Sequence, residues 1–178
     1  MAKCEPIPGL VLLCAVLSGM TYADTAPLAD ALSLARQDYE NALHRLDTEI
    51  QRCQALKRQA GELKHDIEAL GQKVPKAALL TGVGFLAARN IRLCEAGAKG
   101  ELALAWLNYL SIAKEQGIHP GEVVSDQIST LLSPSAVWYA MRARYAALPA
   151  HQRSMMEEAI GQAPFDGPAL LNWIEERD

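Results

Sequence analysis

Between Leu28 and Val74 apolar residues return every seven positions in two seams three residues apart. One seam is Leu32, Tyr39, Leu46, Cys53, Ala60, Ile67 and Val74; the other is Leu28, Ala35, Ala42, Glu49, Leu56, Leu63 and Leu70. Such a stripe predicts a long helix with a narrow apolar edge. Glu49 is its one lapse, with Ile50 beside it. The positions between hold Arg36, Asp38, Arg45, Asp47, Arg52, Lys57, Lys64, Asp66 and Glu68, a charged solvent face. Proline at 27, just after Asp24-Thr25-Ala26, suits the helix start, and Gly61 is a weak interior position.

Gly71-Gln72-Lys73-Val74-Pro75 ends this arm and opens a second, which runs from about Lys76 to Gly97. The midpoint of Cys53 and Cys94 falls between Lys73 and Val74, inside that turn. Arms folded back on one another therefore bring the two cysteines level, and the pattern predicts an antiparallel helical hairpin, coiled-coil-like, pinned by a Cys53–Cys94 disulfide. The second arm is apolar on a wide face through Leu79, Val83, Leu86 and Ile91, with Phe85 and Ala88 on the other side. Gly82 and Gly84 suit a close neighbour, and Asn90 is placed where it could fix the register of the arms.

Gly97-Ala98-Lys99-Gly100 predicts a break or kink. The stretch Glu101–Gln116 is apolar nearly all round, as in the central helix of a bundle, and Gly117 caps it. Further helices are expected from Pro120, Ser133-Pro134, Pro149 and Pro168. No segment alternates like a strand. The expected fold is all-α: a helical hairpin over 24–97, then a compact cluster of short helices over 98–178.

Residues 1–23 read as an export signal. Lys3 leads an apolar run from Leu10 to Met20, too short to span a membrane, and Thr21-Tyr22-Ala23 offers a cleavage site. Cys14 is a poor lipoprotein cysteine because Leu13 is bulky. Export places the chain in the periplasm or outside the cell, where an even pair of remaining cysteines favours a bridge.

The chain of 178 residues has a net charge of −4, and half of it is apolar, so a packed fold is expected. Acidic and basic residues are interspersed without a basic stripe, which removes the electrostatic basis for nucleic-acid binding. Glu40, His44 and Asp47 share one helix face, as do Glu62, His65 and Glu68, so His44 and His65 are weak metal candidates. Both sets fall on outward positions where charge is expected anyway. His119 and His151 have no nucleophile in sequence context, and Glu157-Glu158 and Glu175-Glu176 are adjacent acids that point to different flanks. No catalytic or cofactor motif is present, so catalytic, cofactor and metal residues are set at none. Met155-Met156, Trp106, Trp138, Tyr139 and Trp173 could line a binding surface, though apolar helical faces suit them for the core. Tyr139 is expected to be exposed. Ala77–Ala88, ringed by Lys73, Lys76 and Arg89, is either a membrane-touching tip or a packed segment.

The expected role is that of a non-enzymatic extracytoplasmic interaction protein: an adaptor, chaperone-like factor or accessory subunit of an envelope assembly. Its partner is a protein, or a second copy meeting it through the hairpin. The alternatives are a metal- or small-ligand-responsive envelope protein and, behind it, a small cell-wall hydrolase.

Overall fold

The computed structural model describes residues 25–119, 122–133 and 135–177. The export signal at 1–23, Cys14, Asp24, Pro120 and Pro134 lie outside those residues. The described chain is all-α, with helices α1 (Thr25–Ala55), α2 (Ala60–Gly71), α3 (Lys76–Glu115), α4 (Glu122–Leu132), α5 (Ala136–Ala146), α6 (Ala150–Ile160) and α7 (Gly167–Glu175).

The heptad seams do become the buried edge. Ala35, Ala42, Leu46, Cys53, Ala60, Leu63, Ile67, Leu70 and Val74 are all buried. The expected single arm is nevertheless broken at 56–59. There the Arg58 backbone N–H donates to the Pro164 carbonyl at 3.0 Å, and the Asp166 N–H donates to the Arg58 carbonyl at 3.0 Å. Pairing with a distant segment replaces helical hydrogen bonds at this point. Gln59 then starts α2, its backbone N–H donating to Glu62 Oε1 at 3.2 Å. Leu56, a predicted seam position, is exposed as a result.

α3 differs from expectation in the opposite sense. It runs unbroken for 40 residues, about 60 Å, straight through Gly97 and Gly100. Each glycine costs about 1 kcal/mol in a helix interior. Burial of Leu102 and Trp106 against α1 offsets this, at roughly 1.5–3 kcal/mol for each large apolar side chain. The helix predicted to begin at Glu101 is the second half of α3, and it stops at Gly117, whose φ of 68° is open to glycine. Only one face of that half is buried; Leu104 and Leu107 are exposed.

Two apolar clusters result. One joins Ala42 and Leu46 of α1 to Leu102 and Trp106 of α3 and Ile128 of α4, with Tyr39 and Tyr109 packed alongside. The other gathers Leu63, Ile67 and Leu70 of α2, Leu79, Val83 and Leu86 of α3, and Tyr145, Met156, Ile160, Phe165, Leu170 and Ile174 from the later helices and the α6–α7 loop. The short helices α5–α7 thus cover the first half of α3, rather than gathering around the second. The stretch Ala77–Ala88 supplies Ala78, Leu79, Val83, Phe85 and Leu86 to this core, so it is packed.

Two glycines mark close approaches. A Cβ on Gly82 would lie 2.2 Å from Met156 Sδ, and one on Gly167 would lie 2.4 Å from the Cβ of Ala87. Ala87 Cβ has no rotamer to move to, so α7 must shift. Gly167→Ala is expected to lower stability by about 1–3 kcal/mol despite the better helix former, read from urea unfolding against wild type.

α5 begins with Ser135, whose Oγ accepts from Trp138 N–H at 3.3 Å, two residues later than the expected cap at Ser133. Asp166 caps α7 by accepting from Ala169 N–H at 3.1 Å, with Pro168 in the first turn as expected.

Candidate interaction surface

Cys53 and Cys94 are joined by a disulfide, their Cα atoms 6.0 Å apart. Around it, contacts climb α1 as they descend α3. Tyr39 meets Trp106 with ring centroids 5.2 Å apart, Arg45 Nε donates to Glu101 at 2.9 Å, and Cys53 meets Cys94. Glu49, the lapse in the seam, is held by Arg52 and sits beside the sulfurs. The Arg52 guanidinium holds the Glu49 carboxyl below the usual carboxylate range. Among the described residues, Glu49, Cys53 and Cys94 form the only set of three ligand-type groups within 4.8 Å, and two of them are tied up in the disulfide.

The histidine faces are spread out along the surface. His44 and His65 are exposed. The carboxylates beside them are engaged elsewhere: Glu40 with Arg36 at 2.9 Å, Asp47 with Gln51 at 2.9 Å, Glu62 with the Gln59 amide, and Glu68 with Arg177. Arg177 holds the Glu68 carboxyl below its ordinary range, with a smaller contribution from His65. His119 and His151 are exposed.

The aromatic and methionine candidates divide. Met156 and Trp106 are core residues, and Trp138 stacks on Phe85 at 5.2 Å with Arg92 over its outer face at 4.8 Å. Trp173 is half-buried between Lys64 and Arg177, 5.5 Å and 4.6 Å from its ring centre, beside a 250 Å³ cleft floored by Ile67, Val74 and Leu79. Tyr139 is exposed, as expected.

A polar network, buried at Asn90 and Tyr145 and open to solvent at Glu157, ties α3 to α5, α6 and the α6–α7 loop. Asn90 does not bond to α1. It is fully buried and donates to the Gly161 and Ala163 carbonyls at 2.9 Å and 3.0 Å. Arg89 donates to Asn90 Oδ1 at 3.2 Å and to Glu157 at 3.1 Å, and Glu157 also accepts from the Tyr145 hydroxyl at 2.9 Å. Burial, then the Glu157 carboxylate, pushes the Tyr145 phenol above its ordinary value of 10.0. A phenol raised on folding stabilises the native state fully below pH about 10 and loses that contribution as pH rises towards its folded value. Stability should therefore fall above pH about 10 in the wild type, and that slope should be shallower in Tyr145→Phe, measured as Tm against pH.

The surface with the most unusual polarity is the outer side of α3. Between Leu93 and Leu107 every charged side chain is turned towards α1 or its flank. Glu95 is buried and paired with Lys99 at 2.8 Å, and Glu101 is paired with Arg45. The opposite side carries Leu93, Ala96, Gly97, Gly100, Leu104 and Leu107, all exposed and none charged. Leu34 and Leu43 on α1 are also exposed but stand singly on opposite flanks, as scattered surface leucines commonly do. The sequence pattern hides this open face, because Gly97 and Gly100 predict a break there. Read as one helix, the spacing 93, 97, 100, 104, 107, 111 is a heptad seam in its own right.

By length and composition α3 is apolar enough to cross a membrane, with an 18-residue window of mean hydropathy 1.2, and 39% of that window is buried in the fold. Compared with protein-family models, curated proteins and solved structures, the chain matches none of them.

Proposed function

We propose that this protein is a non-enzymatic extracytoplasmic interaction module, an adaptor, chaperone-like factor or accessory subunit of an envelope assembly. Its working part is a helical hairpin of coiled-coil type, α1 against α3, with α2 packed on α6 and α7. The observation that carries this reading is the outer face of α3 from Leu93 to Leu107: Glu95 pairs with Lys99 on the α1 side, Glu101 pairs with Arg45 on an exposed flank, and Leu93, Leu104 and Leu107 are left in water. Exposing a contiguous apolar stripe costs solubility, and a stripe of this kind marks a contact with another macromolecule. The disulfide supports the extracytoplasmic part, because such bonds persist in oxidising compartments. So does the apolar run from Leu10 to Met20 with its small-residue exit at Ala23.

The test is photo-crosslinking in the native envelope from a residue analogue placed at Leu104. Specific capture of a protein, either a second copy or another chain, is the expected result. Labelling of lipid alone, or of nothing beyond background, contradicts the proposal.

A further inference from the structure

We propose that the outer face of α3 docks a second copy of this chain, forming an antiparallel two-fold helix pair. This rests on the reading of the protein as an interaction module and names its partner.

The first support is where the face lies. At 3.6 residues per turn, positions 93, 97, 100, 104, 107 and 111 fall within about 40° of the direction opposite Leu102, the residue buried most deeply against α1. Leu93, Leu104 and Leu107 are 53%, 63% and 61% exposed there. No part of the described chain covers them. Nearer the start of α3 the same face is covered: Gly82 lies under Met156, and Leu86 is fully buried. One half of the stripe is closed by α5–α7 and the other half is open.

The second support is shape. Along the open half the sequence reads Leu93, Gly97, Gly100, Leu104, Leu107, Ser111: large, small, small, large, large, small. In an antiparallel pair, layers form between alternating seam positions of the two helices. Centring the two-fold near Leu102 sets Leu104 over the other copy's Gly100, Leu107 over its Gly97 and Leu93 over its Ser111. Every leucine meets a small residue, and each match occurs twice by symmetry. A parallel pair in register sets leucine on leucine and leaves gaps at both glycines. Sliding the antiparallel pair by one heptad sets Leu93 or Leu104 against another leucine. One register alone fills the notches.

The third support is that α3 already uses this device within the chain, where Met156 fills the space left at Gly82. Nothing lies within 4 Å of a Cβ built at Gly97 or Gly100, so those two notches are the unfilled counterparts. Length agrees as well. α3 ends at Glu115, one turn past Ser111, so the second helix runs out where the cover of α5–α7 begins. Charge permits the approach: the two Glu101 carboxylates on one flank each carry their own Arg45, and the other flank is Ala96, Ala103 and Leu110. The seam is about 27 Å long, at the small end of specific interfaces, so the dimer is a concentration-dependent one.

Sedimentation equilibrium of the oxidised protein into the hundred-micromolar regime, roughly where interfaces of this size associate, should give a monomer–dimer equilibrium. Leu104→Glu should weaken it at least about a hundredfold by placing a charge in the seam. Gly97→Leu with Gly100→Leu fills the notches. That variant should melt at a higher temperature, since leucine is the better helix former, yet dimerise at least about tenfold more weakly. Leu104→Ser reads the same contact should the glutamate disturb the helix. A monomer at every concentration, or a dimer indifferent to notch-filling while the circular dichroism is unchanged, overturns the proposal. A strict monomer that still captures an envelope protein from the Leu104 crosslinker sinks the second-copy assignment alone and leaves the interaction module standing.

Discussion

Replacing Cys53 and Cys94 together with alanine should lower the free energy of unfolding by about 3–4 kcal/mol, measured by urea denaturation of oxidised wild type and variant. The bridge spans 41 residues of sequence, and closing a loop of that size removes about 4 kcal/mol of entropy from the unfolded chain. The native state loses little else. Cys53 is already buried in the seam, where alanine leaves a small gap, and Cys94 is only half-buried. The effect should also be local in kind. The disulfide stands between the two apolar clusters, next to the point where α1 stops, and α1 has no other covalent hold on α3. Without the bridge, hydrogen exchange should quicken first in α1, whose cluster is the smaller of the two. Dithiothreitol added to wild type should reproduce the variant. A change under about 1 kcal/mol would mean the two helices hold together without it.

Asn90→Leu should cost about 2–4 kcal/mol although it keeps the number of side-chain heavy atoms and adds apolar surface. Asn90 uses both amide hydrogens on the Gly161 and Ala163 carbonyls and its oxygen on Arg89, inside a fully buried site. Leucine leaves these partners beside hydrocarbon, and an unsatisfied buried polar group costs about 1–3 kcal/mol. The loss should appear in the α6–α7 connection and not in the pairing of α1 with α3, because no Asn90 bond reaches α1. Asn90→Ala adds a cavity to the same loss and should be worse again. Equal stability of Asn90→Leu and wild type by thermal and urea unfolding would show that the loop is held by Phe165 and Leu170 alone.

The sequence made the seams and the level cysteines readable because both depend on local periodicity and on arithmetic about one turn. A seven-residue repeat survives a short interruption, so the buried edge from Ala35 to Val74 could be read across a break that could not. The break at 56–59 has no proline and no glycine of its own; it comes from backbone pairing between Arg58 and residues 164–166, more than a hundred positions away. Local propensity carries no trace of that. Gly97 and Gly100 misled in the other direction. Glycine weakens a helix without ending one, and no capping pattern followed Gly100, whereas Gly117 combines positive φ with the closing bonds of Ile118 to Ala113 and Gly117 to Lys114. Asn90 reads in the sequence as a residue that could fix the register of the arms, but it is fully buried and its partners lie on a loop that only the folding of α5–α7 brings near. The open face of α3 was hidden by the same misplaced break, since a short helix apolar all round looks like a core helix. Extended to its full 40 residues, it shows one face buried and one left bare.

The disulfide that clasps α1 to α3 should, on the proposed extracytoplasmic role, form after export. The direct measurement is mass spectrometry of the protein taken from its own cells, with free thiols alkylated before any reduction. The expected result is a Cys53–Cys94 linked peptide pair, unalkylated, on a chain whose first residue is Asp24. Alkylated thiols at both Cys53 and Cys94, on a chain that still begins at Met1, would contradict it.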